Sequence, residues 1–166
     1  MADSPKPAEH AAEPKGTGAG LLQARRDKLD RLRALGLDPF GQRFDDALPI
    51  ADVRGRGDAV PRESDAGPTV RVAGRIMLLR SAGSLVFLDL HDRTGRIQIM
   101  LGKKQVGPDA WKIVDCLDLG DIVGIDGRLG WSKTGEMTVF ASGITFLTKS
   151  LETPPDKYHG LSLIHI

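Results

Sequence analysis

From Thr69 onward the hydrophobic side chains recur at every second position, and no other feature of the chain restricts its fold as strongly. Alternation of this kind places successive side chains on opposite faces of a β-strand. The first strand is therefore predicted to begin at Thr69 with a buried face of Val70, Val72, Ile76 and Leu78. The adjacent pair Leu78-Leu79 breaks the alternation, which predicts a β-bulge there.

Four further strands and a helix follow the first strand. Residues 85–91 form the second strand, with Val86, Leu88 and Leu90 inward, and the turn 92–95 leads into a third strand with Ile97, Ile99 and Leu101 inward. Pro108 and Asp109 open a helix in which Trp111, Val114 and Leu117 share one face. Residues 121–131 and 136–148 form a hairpin around Lys133-Thr134-Gly135.

This order of elements predicts the fold class, which is mainly β with helices. Three strands, a helix and two strands are the arrangement of a five-stranded OB-fold barrel, a partly open Greek-key barrel that commonly binds oligonucleotides. An SH3-like barrel would not need the helix between the third and fourth strands. We therefore expect an OB fold over residues 69–149.

Two segments precede the barrel. Residues 1–20 have no large apolar side chain after Met1 and are predicted to be a disordered tail. Residues 21–68 are predicted to be a helical arm and a connector, because four leucines recur at helical spacing before Gly36, which favours a helix end. Those leucines are Leu22, Leu29, Leu32 and Leu35. The predicted arm is an amphipathic helix with a basic outer face.

The charge of the chain is segregated although its net value is only +1. Residues 21–36 hold five basic and two acidic side chains, and residues 69–106 hold seven basic and two acidic ones. These blocks predict two local basic surfaces, with ordinary solvated charge as the alternative. One cysteine, Cys116, excludes a disulfide framework, and no apolar run approaches the roughly 20 residues of a membrane span, so we expect a cytoplasmic protein without a membrane partner.

Strand parity selects the candidate binding residues. Phe87 lies between two inward positions, so its ring is expected to point outward, and residue 89 should pair with residue 98, which places Gln98 on the same face. A ring stacks on an RNA base and an amide bonds to the base edge. Glu136 is also expected to point outward, whereas the break at Leu78-Leu79 leaves the face of Arg80 open. A loop that covers Phe87 is the alternative.

The sequence offers no catalytic or metal-binding residues. It contains no phosphate-binding glycine loop, the four histidines lack metal-ligand spacing, and no serine or cysteine lies in a nucleophile motif. We therefore expect no cofactor in this chain.

Five segments of the chain resemble one known family. They are RRDKLDRLRALGLDPF, VAGRIMLLRSAGSLVFLDLHDRTGRIQ, LDLGDIVGIDGRLG, KTGEMTVFA and KSLETPPDKYHGL. Together they resemble the N-terminal anticodon-binding domain of bacterial-type class II lysine–tRNA ligases over residues 21–161. The strand motifs are shared with aspartate and asparagine ligases, whereas the arm and PDKYHGL point to lysine.

The resemblance implies a partner and four binding residues. In this subclass the corresponding phenylalanine, here Phe87, stacks on the central uridine of the tRNA anticodon, and Arg80 and Gln98 correspond to residues that bond to that base. Glu136 corresponds to a glutamate that also contacts the anticodon. Full-length members join lysine to its tRNA with ATP and Mg²⁺ and are homodimers.

The end of the sequence departs from the family pattern. The family continues after PDKYHGL into a catalytic domain, whereas here SLIHI follows, so residues 150–166 are expected to be the start of a linker to a missing catalytic domain with an aberrant end. A free-standing OB module for single-stranded nucleic acid is the alternative function. A third possibility is an assembly module that covers Phe87 with protein.

Overall fold

A computed structural model describes residues 18–152 of the protein. The chain forms helix α1 (Gly18–Ala34), helix α2 (Ile50–Gly55) and a short 3₁₀ turn (Gly57–Ala59) before the sheet begins. Residues 1–17 and 153–166, which hold most of the predicted tail and linker, lie outside the described part. Helix α1 begins three residues before residue 21, where the arm was expected to start.

The sheet is a closed barrel of five strands, as predicted. The strands are β1 (Thr69–Ala82), β2 (Leu85–His91), β3 (Arg96–Gly102), β4 (Ile122–Trp131) and β5 (Met137–Thr148). Their order around the barrel is β1-β2-β3-β5-β4. The pairing of β3 with β5 is parallel and the four others are antiparallel. Helices α3 (Lys103–Val106) and α4 (Pro108–Val114) lie between β3 and β4, which confirms the OB arrangement.

The core contains the predicted inward positions with one exception. All six side chains assigned inward on β2 and β3 are buried, as are those of Trp111, Val114 and Leu117. Leu78 is 41% exposed, so its inward assignment is wrong. The register of β1 against β2 shifts between Ile76 and Leu78, and this extra residue turns Leu78 outward. The bulge therefore lies slightly earlier in the strand than predicted.

Helix α1 is fixed to the barrel by two of its predicted apolar leucines and by one arginine. Leu29 and Leu32 are buried, and Gly36 ends the helix region with a φ of 80°. The guanidinium of Arg25 is buried and donates to the carbonyl oxygens of Leu119 and Ser150 at 2.9 and 2.8 Å. The predicted helix is present, and Arg25 is the basic residue of it that is buried against the barrel and does not lie on the expected outer face.

A buried ion cluster joins α1, the loop before β4 and the end of β5. The Nζ of Lys149 lies 2.6 Å from Asp118 Oδ2 and 2.8 Å from Asp121 Oδ2, and the Lys149 side chain is fully buried. Lys28 of α1 reaches the other oxygen of Asp118 at 2.6 Å. Burial raises the pKa of Asp121, and the ammonium of Lys149 opposes that rise. The arm and the exit of the barrel thus share one set of charges.

Removal of the Lys149 ammonium should destabilise the fold severely. The change Lys149→Met leaves two buried carboxylates without their shared cation, which costs about 3–5 kcal/mol in the free energy of unfolding. Urea unfolding at neutral pH measures the loss. Lys112→Met is the matched control, since Lys112 is exposed and makes only a 3.9 Å surface pair. Equal stability of the two variants would contradict the structural role of the cluster.

Helix α2 is capped by a side chain from the β2–β3 turn. Asp92 Oδ2 accepts the Ile50 N–H at 2.9 Å, and Thr94 Oγ1 accepts the Ala51 N–H at 3.0 Å. Asp92 Oδ1 also accepts the amides of Thr94 and Gly95. Burial raises the pKa of the Asp92 carboxyl, but hydrogen bonds from Thr94, Ile50 and Gly95 outweigh it and hold that pKa below the ordinary 3.8. The connector is therefore attached to the barrel through an ionised carboxylate.

Neutralising Asp92 should cost stability only while the native carboxylate is ionised. A lowered folded-state pKa means that the stabilisation is present above pH 3.8 and is lost as the pH falls through the folded value. Asp92→Asn should lower the free energy of unfolding by about 1 kcal/mol at neutral pH. Urea titrations in steps below pH 3.8 should show the gap closing. A gap that stays constant with pH would mean that the charge contributes nothing.

Within residues 18–152 the longest helix is α1, and no helix there combines the length and the hydropathy that a bilayer crossing requires.

Candidate nucleic-acid interface

An open cleft of about 560 Å³ lies on the outer side of the barrel. Side chains of all five strands line it, and the β4–β5 turn and the connector between α2 and β1 complete it. Three of the four predicted binding residues lie here, namely Arg80, Phe87 and Gln98. This volume is in the range of small-molecule and cofactor pockets.

Arg80 and Phe87 face each other across the β1–β2 ladder. They are direct partners in the register, and the Arg80 Cζ lies 5.8 Å from the centroid of the Phe87 ring. The bulge upstream of Arg80 restores the parity that places both side chains in the cleft. The ring of Phe87 is half-buried, so it is neither core nor fully exposed. The guanidinium of Arg80 and the ring of Phe87 can therefore contact the same ligand in the cleft.

Gln98 lies on the predicted face, but it is only 8% exposed. Its partner on β5 is Thr138, because the parallel pairing of β3 with β5 brings the two residues together. Gln98 Nε2 donates to Thr138 Oγ1 at 2.9 Å, and that hydroxyl donates to the Glu136 carbonyl at 3.0 Å. Among the described residues, Gln98 Oε1 is neither bonded nor sealed from solvent, so it remains an acceptor in the cleft.

Glu136 is the predicted site residue that does not line the cleft. Its side chain is 36% exposed, and its Oε1 lies 3.9 Å from Arg96 Nη2. Arg96 in turn pairs with Asp89 at 3.0 Å. Glu136 is nevertheless connected to the cleft, because its carbonyl accepts the hydroxyl hydrogen of Thr138. The outward direction expected for Glu136 is consistent with this partial exposure.

Several residues of the cleft were not identified from the sequence. Phe140 could have been found, because it lies between the inward residues Val139 and Ala141. Trp131 shares the parity of the buried Leu129, so alternation assigns it to the core. Glu63 and Asp65 belong to the irregular connector, where no periodicity indicates a direction.

The charge in the cleft is mixed. Arg80 and Lys133 are balanced by Glu63 and Asp65 among the lining residues. Much of the basic block predicted over residues 69–106 is engaged elsewhere, since Arg71 makes a two-oxygen pair with Asp126 at 2.9 Å. Arg75 donates to the Gly120 carbonyl. Arg71 and Arg75 therefore contribute less to the expected basic surface than the sequence count suggested.

The site continues into a second hollow of about 350 Å³. The two hollows share Asp65, Met100 and Phe140, and the second one ends at Arg128 and Ser142. The two hollows are neighbours on the outer face of β3 and β5. Neighbouring hollows of this kind suit an extended ligand with several flat groups.

Comparison with known proteins agrees with the fold. The sequence profile of the tRNA anticodon family, described as an OB-fold nucleic acid binding domain, matches residues 70–147. Lysine–tRNA ligase of Enterococcus faecalis is 45% identical over 143 residues, which cover 85% of this chain and 29% of that protein. The lysine–tRNA ligases of Lactiplantibacillus plantarum and Bacillus cereus are 41% and 42% identical, and each match covers 84% of this chain and 28% of the relative.

These matches define the class of protein in which the cleft lies. Residues 70–147 match the OB-fold nucleic acid binding domain of the tRNA anticodon family, in agreement with the five-stranded barrel. Over 84–85% of its length the chain is similar to the N-terminal part of lysine–tRNA ligases, which confirms the resemblance seen in the sequence. It spans less than a third of the length of the curated relatives that it matches.

Proposed function

We propose that the cleft binds the anticodon of a lysine tRNA and selects a uridine at its central position. The observation that carries this proposal is that the ring of Phe87 and the free amide oxygen of Gln98 line one open cleft of an anticodon-family OB fold. Phe87 stacks on the base, and Arg80 and Gln98 bond to its edge. Glu136, at the border of the cleft, accepts a hydrogen bond from a neighbouring base.

The chemistry of Gln98 explains a preference for uridine. Its Nε2 is held by Thr138, so the side chain presents Oε1, an acceptor, to the ligand. Uridine has an N3–H that donates to such an oxygen, whereas the N3 of cytidine is itself an acceptor and would leave the amide oxygen unpaired. A site built to bond a donor rejects an analogue that lacks it because the site's polar group then loses its partner. Stacking on Phe87 adds affinity without this selectivity.

In the complete protein this domain would position the tRNA for a catalytic domain elsewhere in the chain. We propose that the barrel of residues 69–149 is the binding unit and that residues 21–68 support it. Joining lysine to its tRNA with ATP and Mg²⁺ in a homodimer is the proposed activity of the full-length protein, exercised in the cytoplasm where translation occurs. Within residues 18–152 no cluster of histidine, cysteine and acidic residues is placed to hold a metal ion.

Two other functions make different predictions about the same surface. A free-standing module for single-stranded nucleic acid would bind without base preference and with strong salt dependence. An assembly module would need Phe87 covered by protein, and the ring instead lines an open cleft in the described part of the chain. Base selectivity is therefore the property that separates these functions.

Binding of the chain to a lysine anticodon stem-loop tests the proposal directly. At fixed salt, replacing the central uridine with cytidine should weaken binding by about tenfold or more, because the Gln98 oxygen loses its donor. Phe87→Ala should weaken binding to the uridine loop by about 5- to 100-fold, through loss of stacking. Fluorescence anisotropy with a labelled RNA measures both effects.

Phe40→Ala is the matched control for the loss of a ring. Phe40 is 49% exposed and does not line the cleft, so this variant should bind like the native chain. Equal affinity of the native chain for the uridine and cytidine loops would withdraw the site assignment and favour the generic single-strand module.

Thr138→Val should reduce selectivity more than affinity. The valine keeps the shape of the buried threonine but removes the acceptor that orients Gln98, so the amide can rotate and present its NH₂ group to the base. The ratio of uridine to cytidine affinity should fall toward one, while stacking on Phe87 persists. Thr145→Val, a change of the same kind elsewhere on β5, should leave the ratio unchanged. An unaltered ratio in Thr138→Val would show that the orientation of Gln98 does not set the preference.

A further inference from the structure

The connector contributes a stacked arginine to the border of the cleft. The Arg62 Cζ lies 3.5 Å from the centroid of the Trp131 ring, while the Arg62 side chain itself is exposed. Trp131 lines the cleft that also holds Phe87. We propose that Arg62, held by Trp131, binds a backbone phosphate of a nucleotide next to the base stacked on Phe87. This inference rests on the proposed function, since it assumes that RNA enters the cleft.

Trp131 is a fixed platform for the arginine. Its indole Nε1–H donates to the Gly57 carbonyl at 3.2 Å, and its backbone N–H donates to the Ser64 carbonyl at 2.8 Å. The ring is thus bonded on its edge to one part of the connector and by its main chain to another. A guanidinium that stacks on this ring is held in a defined plane, which reduces the entropy lost when it binds a ligand.

The connector itself is held tightly against β4. The Leu129 N–H donates to the Pro68 carbonyl, and the Gly67 N–H donates to the Leu129 carbonyl, both at 3.0 Å. A Cβ at Gly130 would lie 2.1 Å from the Ser64 carbonyl oxygen, so only glycine allows this close approach. Glu63, next to Arg62, has a φ of 55°, a left-handed conformation that non-glycine residues rarely adopt. Arg62 therefore projects from a constrained segment.

The donors of Arg62 are available to an anion. Within residues 18–152 the guanidinium makes no ion pair or hydrogen bond, and its contact with Trp131 uses only its face. Its N–H groups lie in the guanidinium plane and match the oxygens of a phosphate in a two-bond geometry. Glu63 and Asp65 line the cleft without pairing to Arg62. A phosphodiester beside the bound base is the anion that an RNA loop brings to this position.

The salt dependence of RNA binding distinguishes a phosphate contact from a merely structural stack. Loss of one contacted phosphate reduces the slope of log affinity against log salt by about 0.7 for a single strand. Arg62→Ala should show this reduction and should weaken binding to the uridine and cytidine loops by the same factor, roughly tenfold at low salt. Arg62→Lys should keep the slope and lose part of the affinity, because a lysine retains the charge without the planar fork.

Arg93→Ala is the matched control. Arg93 is exposed in the β2–β3 turn, at the end of those strands away from Phe87, and should change neither slope nor affinity. Trp131 acts as a positioning residue, so Trp131→Leu should reproduce the effect of Arg62→Ala and add nothing to it in the double variant. Trp131→Phe keeps an aromatic ring under Arg62, so its slope of log affinity against log salt should equal that of the native chain.

Neutral RNA backbones provide a test that leaves the protein unchanged. Methylphosphonate groups placed singly along the loop should identify one position at which native binding weakens and at which Arg62→Ala weakens no further. If Arg62→Ala keeps the salt slope of the native chain but melts at a lower temperature, the inference is overturned. The contact of Arg62 with Trp131 then only stabilises the connector. If the native chain fails to discriminate uridine from cytidine but Arg62→Ala still lowers the slope, the phosphate site stands and anticodon reading does not. Absence of RNA binding by the native chain would overturn both.

Discussion

The parallel pairing of β3 with β5 is the interaction on which the rest of the structure depends. It closes the barrel, and it does so through only three residue pairs, Gln98 with Thr138, Ile99 with Val139 and Met100 with Phe140. The middle pair points into the core, and both of its side chains are fully buried. The two outer pairs lie on the cleft side. The same short ladder that completes the hydrophobic core therefore also builds the floor of the site.

This short ladder also sets the orientation of the Gln98 side chain. A hydrogen bond between two buried side chains in a closed ladder is strong in its low-dielectric setting, and it fixes which end of the amide faces the ligand. Preorganisation of this kind reduces the ordering cost of binding. At the opposite end of the molecule, the buried Lys149 cluster performs the corresponding task for the arm, since it joins Lys28 of α1 to the residues that precede β4. The arm and the cleft are thus held by separate polar networks.

The fold could be predicted from the sequence because a period of two is a direct consequence of strand geometry. Residue 89 pairs with residue 98 as expected, and the inward residues of β2 and β3 follow from alternation alone. Leu78 could not be predicted by the same rule, because one inserted residue at the bulge reverses the parity of everything after it until the next irregularity. The register shift that made the prediction for Leu78 wrong also brings Arg80 opposite Phe87.

From the sequence, only those site residues could be predicted that lie on regular strands, where alternation gives the direction of each side chain. Phe87 and Gln98 lie on regular strands, and their common face followed from their positions. The burial of Gln98 depends on a nonlocal partner, Thr138, which no local pattern reveals. The contribution of the connector was not predictable either, because Arg62 and Glu63 lie in irregular backbone whose path is set by close contacts with β4. Counts of basic residues overestimated the free positive charge at the surface for a related reason, because Arg25 and Arg71 bond to groups within the chain.

The near-neutral character of the cleft has a consequence for recognition. Electrostatic attraction to phosphates supplies most of the affinity of nucleic-acid proteins for sequences that they do not read. Here the net charge is +1, and Glu63 and Asp65 offset Arg80 and Lys133 within the cleft. With so little net charge in the cleft, the proposed anticodon binding would rely on the ring, the oriented amide and a small number of placed cations more than on general attraction to phosphates. In the proposed complex, the carboxylates of Glu63 and Asp65 would also repel a phosphate that entered the position of the base, which disfavours a wrongly placed strand. Under the proposed function, selectivity would therefore arise from repulsion of misplaced phosphates as well as from the contacts of Phe87 and Gln98 with the base.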